Sequence, residues 1–189
     1  QHIVGSTSFC GLEITVNRHV LVPRPETELL AEAGWQFLST INSQPSTALD
    51  FGTGSGCIAI ALAVKCSSAR IWAVDVSSAA LEAAMKNAEG NGVGGRIEFI
   101  KADGFDVLQA DARFDLIISN PPYVPSAEIA SLLPEVRDFD PRGALDGGPD
   151  GLDFYRLLAA QAAPLLKPSG KIMLEFGDGQ STDICRILT

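Results

Sequence analysis

Apolar and polar positions change their rhythm twice along this chain. Leu12, Ile14 and Val16 alternate with Glu13 and Thr15, the two-residue period of a half-buried strand. Val20 to Val22 is a second short apolar run, and together they predict a hairpin over Phe9 to Val22. Pro23-Arg24-Pro25 then fixes the chain direction. Pro25 suits the first turn of a helix, where its missing N–H would have had no partner anyway. That helix is expected from Glu26 to about Leu38, with Leu29, Leu30, Ala33 and Phe37 on its apolar face. Asn42 to Ser46 reads as a polar linker.

From Thr47 onward strands and helices alternate. Strands are expected at Ala48 to Phe51, Arg70 to Val74 (ending at Asp75), Arg96 to Ile100, Phe114 to Ser119 and Lys171 to Phe176. Helices are expected from Ile58 to Val64 and from a cap at Ser77 or Ser78 to about Ala88. Two more are expected from Leu152 to Leu166, stopped by Lys167-Pro168-Ser169-Gly170, and from Gln180 to Leu188. This alternation predicts an α/β fold: a doubly wound, mostly parallel sheet with helices on both faces, preceded by the β-hairpin. Residues 1–24 are read as hairpin and leader, and residues 25–189 as one catalytic domain. In such sheets ligands bind beyond the carboxyl ends of the strands, where Asp50 with its glycines, Asp75, Asp103 and Asn120 all fall. The stretch from Val124 to Gly151 carries Pro, Gly and acids and reads as an ordered cover. Within it Phe139 is expected to be buried, with Glu135 and Arg137 beside the site.

Composition narrows the chemistry. The 189 residues are 46% hydrophobic and 20% charged, ordinary for a globular domain. Lys and Arg number 14 against 23 acids, a net charge of −9. Phosphate contacts need Lys and Arg, so this balance counts against a nucleic-acid surface. Cys10, Cys57, Cys66 and Cys185 are scattered, and His2 and His19 are the only histidines. No metal site is therefore expected. No apolar run reaches the roughly 20 residues that span a bilayer, no signal peptide is visible, and the cytoplasm is the expected location. The chain begins at Gln1, in what reads as an extended segment of a longer protein.

Asp50-Phe51-Gly52-Thr53-Gly54-Ser55-Gly56 follows a strand and opens a helix. Glycines let a backbone turn sharply and approach a ligand closely, and a helix N-terminus offers N–H groups to an anion. Taken alone this is also what a plain tight turn looks like. Asp75 lies roughly 20 residues further on, the spacing of a carboxylate that accepts ribose hydroxyls; a helix cap ahead of Ser77 is its bland alternative. A dinucleotide needs G-x-G-x-x-G to seat its pyrophosphate. The G-x-G-x-G spacing favours S-adenosyl-L-methionine over NAD, with Asp50 as a candidate partner for its ammonium group. Asp103, with Gly104 beside it, is a candidate acceptor for the adenine amino group.

Asn120-Pro121-Pro122-Tyr123 is the sharpest signal. Two prolines in a row leave a rigid loop with carbonyls in set directions. An amide nitrogen is a poor nucleophile because its lone pair is delocalised. The Asn120 side-chain oxygen and the Pro121 backbone oxygen can hold its two N–H groups and aim it at a methyl group. Tyr123 can stack on the flat amide. The bland alternative is a strand-ending turn.

The glycine loop with Asp75 resembles the class I S-adenosylmethionine-dependent methyltransferases, which have a Rossmann-like fold. Asn120 to Tyr123 resembles the branch acting on planar amide or amino nitrogens. Val20-Leu21-Val22-Pro23-Arg24-Pro25-Glu26-Thr27-Glu28 is similar to the leader of the peptide chain release factor glutamine methyltransferase family. Glu135-Val136-Arg137-Asp138-Phe139-Asp140-Pro141-Arg142 and its continuation through Ala144-Leu145-Asp146-Gly147-Gly148 to Asp153-Phe154-Tyr155-Arg156 are similar to the same family. The resemblance implies that Gly52, Thr53, Gly54, Ser55, Gly56 and Asp75 bind the cofactor. It implies that Asn120, Pro121, Pro122 and Tyr123 bind a glutamine, with Asn120 also near the cofactor. The implied substrate is the Gly-Gly-Gln loop of class 1 release factors. Against that resemblance, the family's N-terminal helical domain and the last strands of its sheet are expected to lie outside these 189 residues. Gly104 and then Phe105 follow Asp103 where members often place a large aromatic first, and Asp140 stands where Glu is common. Rival readings are a ribosomal-protein glutamine methyltransferase, an adenine-N6 DNA methyltransferase, a fragment that holds the cofactor without turnover and, more distantly, a hydride-transferring enzyme.

Overall fold

The computed structural model describes residues 4–41, 45–105, 108 and 112–189. His2 and positions 42–44 of the expected linker lie outside the described residues. The hairpin comes earlier than the pattern suggests: β1 (Ser6–Phe9) pairs antiparallel with β2 (Leu12–Thr15) across a turn at Cys10 and Gly11. Val20 to Val22 is not a strand. Val20 and Val22 are buried in the same apolar cluster as Ile14 and Val16, but the Val22 N–H donates to the Asp140 carboxylate and not to a neighbouring strand. Burial alone does not make a strand; a ladder partner does.

α1 (Pro25–Ser39) carries Pro in its first turn as expected, yet its most buried face is rotated from the expected one: Leu30 and Phe37 pack against the core only partly buried. Thr27, Ala31, Gly34 and Leu38 point inward, whereas Leu29 is 70% exposed and Ala33 is also exposed. Close approach explains the choice. A Cβ on Gly34 would lie 2.9 Å from Ile118 Cδ1, so only a small-residue face lets the helix lie on the sheet at this distance.

That sheet is parallel throughout. β3 (Thr47–Phe51), β4 (Arg70–Asp75), β5 (Ile97–Lys101), β6 (Phe114–Ser119) and β7 (Leu166–Leu174) are arranged β5-β4-β3-β6-β7. α2 (Cys57–Lys65) and α3 (Ser78–Gly90) are the first two crossovers, and Ser77 caps α3 by accepting from the Ala80 N–H. α4 (Pro134–Arg137) is one turn inside the long connection after β6, followed by α5 (Asp153–Gln161) and, beyond β7, α6 (Ser181–Leu188). Side chains alternate across the sheet. Ala48, Ile71, Ala73, Leu116 and Ile118 join the core under α1 and α2. Leu49, Phe51, Val74 and Ile117 join the opposite core with Leu158 and Ala162 from the α5 side. Among the described residues no helix is long and apolar enough to cross a membrane.

The helix expected to reach Leu166 ends at Gln161, and the residues read as its stop belong to β7. Leu166 pairs with Phe114 and Lys171 with Leu116, so the residues between them bulge, with Ser169 at φ +71°. Pro168 cannot donate to a ladder, and a bulge is where a strand accommodates that. Lys167 Nζ lies 2.7 Å from the buried Asp115 carboxylate, which also accepts from the Thr47 N–H at 2.8 Å. That ion pair ties β7 to β6 and β3.

Candidate active site

Because β4 and β5 lie to one side of β3 and β6 and β7 to the other, the strand order reverses between β3 and β6. A crevice opens at such a point. The loop after β3 fills its lower part. Gly52, Gly54 and Gly56 have φ of +76°, +55° and +81°, which is why all three positions are glycine. The Gly52 and Thr53 N–H groups donate to the Val74 carbonyl, and Gly56 donates to Thr53. Asp75 takes the Gly54 N–H on Oδ2 at 2.9 Å and the Ser77 N–H on Oδ1 at 2.8 Å. Asp75 therefore both tethers the loop and forms the turn into α3, while still facing the cavity. The loop N–H groups expected to be free for a ligand are in these four cases used to hold the loop's own shape.

Asp50 is 1% exposed and lies beneath the loop, away from the cavity wall. Its Oδ2 accepts from Thr53 Oγ1 at 2.7 Å and from the Ala59 N–H at 3.1 Å, while Oδ1 has no partner. Burial pushes its carboxyl up to about 7, against the pull of those two hydrogen bonds. A folded-state value above the ordinary one means that its stabilising contribution is complete at low pH and is lost as pH rises through about 7. Asp50→Asn should remove this dependence. From pH 5 to 8 the variant should gain stability relative to the wild type, at a slope of at most about 1.4 kcal/mol per pH unit. Calorimetric unfolding across that range checks this, and a pH-independent difference would refute it.

Asn120 immediately follows β6 and reaches the cavity together with Pro122; Pro121 is buried. The Asn120 Nδ2 donates to Thr27 Oγ1 at 3.0 Å, and Thr27 Oγ1 donates to Glu175 Oε2 at 2.7 Å. Thr27 is 2% exposed and lies in the first turn of α1; Glu175 immediately follows β7. Burial raises the Glu175 carboxyl above its ordinary range. Tyr123 turns from the cavity into a small cluster with Leu152, Tyr155 and Ile184. Its carbonyl accepts from Gln180 Nε2 at 2.9 Å, and Tyr155 Oη donates to the Glu175 carbonyl at 2.9 Å.

The acidic connection does cover the site, but through a different part than expected. Pro141, Gly143 and Ala144 line the cavity. Phe139 is 53% exposed, and Glu135 and Arg137 face solvent, with Arg137 paired to Asp138. The buried anchor is Asp140, whose Oδ2 lies 2.6 Å from Arg24 Nη2. Pairing Asp140 with Arg24 and with the Val22 N–H fixes leader and cover together. His19, Val20, Leu21 and Pro23 of the leader line the same cavity. Sequence reasoning assigned them no role, although the leader motif had already marked their segment.

The cavity measures about 480 Å³, within the range of small-molecule sites. Gly52, Thr53, Gly54, Ser55 and Asp75 form one side. Val74, Val76, Ala102, Phe154 and Leu157 supply an apolar wall, with Asp103 and Gly104 at its edge. Phe105, the displaced aromatic, is buried and stacks on Phe51 with ring centroids 4.2 Å apart; it supports the floor. A flat apolar slot flanked by a carboxylate fits an adenosine.

The methyltransferase small domain family matches residues 30–134. The chain is 45% identical to a release factor glutamine methyltransferase of Geobacter sulfurreducens over 97% of this chain and 62% of that protein. It is 44% identical to one of Rhodospirillum rubrum over 100% of this chain and 56% of that protein. The likeness read from the motifs thus extends over nearly the whole chain, which spans less than two thirds of these curated relatives. Two solved structures share the fold: a methyltransferase of Pyrococcus furiosus (TM-score 0.65, 23% identity, 96% of this chain and 78% of that one) and a ribosomal protein L11 methylase of Lactobacillus delbrueckii (TM-score 0.62, 22% identity, 93% and 72%).

Proposed function

We propose, from the premise that this chain belongs to the methyltransferase small domain family, that it methylates the side-chain amide nitrogen of a glutamine in the Gly-Gly-Gln loop of a class 1 peptide chain release factor, with S-adenosyl-L-methionine as methyl donor. The observation that carries this reading is the meeting of the glycine loop, Asp75 and Asn120 on one cavity at the reversal of strand order. The names of the curated relatives support the release factor as substrate. A net charge of −9 favours a protein partner over a nucleic-acid backbone, and translation termination would place the reaction in the cytoplasm.

In this reading Asp75 accepts the ribose hydroxyls, and the loop from Gly52 to Gly56, propped by Asp50, shapes the floor. Val74, Ala102, Phe154 and Leu157 hold the adenine between apolar surfaces, with Asp103 and Gly104 at its amino edge. Held there, S-adenosyl-L-methionine would supply an electrophilic methyl group carried on a sulfonium. Asn120 Oδ1 and the Pro121 carbonyl accept the two N–H groups of the glutamine and orient its nitrogen. Pro122 keeps the loop rigid. Tyr123, anchored through Gln180, fixes where the loop leaves the site.

Mass spectrometry of a release factor and of DNA, each incubated with the full-length protein and cofactor, tests the assignment. One methyl on the Gly-Gly-Gln glutamine is expected and none on DNA; the reverse would overturn it. Asp75→Ala should weaken S-adenosylhomocysteine binding by about 1.5–3 kcal/mol through the loss of charged hydrogen bonds, roughly 10- to 10²-fold in Kd. Calorimetry measures this, and tighter binding of NAD than of S-adenosylhomocysteine would sink the cofactor assignment.

A further inference from the structure

Asn120 does not hold its own orientation. A carboxamide presents an acceptor at one end and donors at the other, and the two ends have nearly the same shape. Beside Asn120 stands Thr27 Oγ1, 3.0 Å from Nδ2. The single hydroxyl proton of Thr27 is committed to Glu175 Oε2 at 2.7 Å, so toward Asn120 the hydroxyl can offer only lone pairs. Asn120 also draws the Glu175 carboxyl down, against the larger upward push of burial. The hydroxyl that meets Asn120 on this side is therefore an acceptor, which the nitrogen end satisfies and the oxygen end cannot.

We propose that Thr27 and Glu175 are positioning residues that lock the Asn120 carboxamide with its oxygen toward the cavity, so that it accepts an N–H from the substrate amide. This rests on the glutamine-methylating reading above. The wrong orientation would present two donors to a substrate nitrogen that itself carries two donors. The lock is assembled from three distant segments: the first turn of α1, the end of β6 and the end of β7. Its polarity depends on an ionised Glu175. A protonated Glu175 donates to Thr27, freeing the hydroxyl proton to turn toward Asn120 and favour the inverted amide. Burial raises the Glu175 carboxyl, and the groups facing it are Glu26 and Arg24 at the start of α1, Tyr123 after β6 and Tyr155 on α5. Activity is thus present above the Glu175 titration and lost as pH falls through it.

The test uses the full-length protein. Thr27→Val keeps the shape and removes the hydroxyl; it should lower the single-turnover rate by about 10²-fold while S-adenosylhomocysteine affinity changes less than about threefold. Thr27→Ser restores the hydroxyl and should recover most of the rate. Glu175→Gln should be slow and should lack the acid limb of the wild-type pH–rate profile. A Thr27→Val enzyme as fast as wild type, or an unchanged acid limb in Glu175→Gln, overturns the lock. A substrate-free measurement separates this from the substrate assignment. The side-chain amide signals of Asn120, assigned with Asn120→Asp, should shift with the Glu175 titration in the wild type and not in Glu175→Gln. If they do not move, the lock is wrong whatever the protein methylates; if they move in a protein inactive on Gly-Gly-Gln, the lock stands and the substrate is wrong.

Discussion

Asn120→Ala should lose methyl transfer almost completely and keep its fold. The side chain follows β6 at the cavity edge and fills no core volume, so stability should fall by only about 0.5–2 kcal/mol. Thr27 and Glu175 remain hydrogen-bonded to each other without it, which limits the disturbance to the site itself. The rate is another matter. In the proposed mechanism the amide oxygen is a fixed acceptor where charge develops on the substrate nitrogen, and removing one such preorganised partner costs roughly 10²–10³ in rate. Cofactor binding should weaken only modestly, because Asp75 and the loop from Gly52 to Gly56 are untouched. Asn120→Asp sharpens the test. It keeps the shape but loses the donor to Thr27 and sets a second carboxylate beside Glu175. A new negative charge near the sulfonium would favour the charged ground state over the neutral product, so binding should hold or tighten while transfer slows. Single-turnover methylation of a release factor with the full-length enzyme is the assay. A wild-type rate for Asn120→Ala would reduce the Asn-Pro-Pro-Tyr loop to a rigid turn.

Gly151→Ala should be the most damaging small substitution in the cover. Gly151 has φ +77°, a conformation that strains any side chain by about 1–3 kcal/mol. An added Cβ would lie 2.6 Å from Gln180 Nε2 and closer still to the Tyr123 carbonyl oxygen. Those two atoms hydrogen-bond to each other at 2.9 Å, and Gln180 Oε1 also takes the Gly177 N–H at 2.9 Å. The methyl therefore drives apart the contact that anchors the loop after Asn120 to the segment between β7 and α6. Overpacking of this kind adds about 1–3 kcal/mol, for a combined loss of roughly 2–6 kcal/mol. At roughly 2–4 °C of Tm per kcal/mol for a domain of this size, calorimetry resolves the effect easily. Gly95→Ala is the control: its Cβ would meet nothing within 4 Å, and a change within about 0.5 kcal/mol is expected. Equal Tm losses at the two positions would show that the Tyr123–Gln180 contact does not anchor the loop.

The sequence by itself determined whatever depends on near neighbours in the chain. Strand and helix alternation from Thr47 onward, the G-x-G-x-G turn, the Asp75 ending of β4 and the rigid loop after β6 are all legible because periodicity, glycine and proline act locally. Those features also sufficed to place the candidate site, since a parallel sheet brings the ends of its strands together. Tertiary structure decided what depends on which surfaces meet. α1 buries Thr27, Ala31, Gly34 and Leu38 and leaves Leu29 and Ala33 exposed, because the distance to Ile118 excludes large side chains. Lys167 to Gly170 joins β7 because Asp115 and the edge of β6 lie within reach. Asp140, and not Phe139, is buried because Arg24, 116 residues away in the chain, neutralises it. Thr27 reaches Asn120 across 93 residues and Glu175 across 148. A hydrogen bond or a clash depends on separation in space, and separations of that length along the chain are set only when the layers pack.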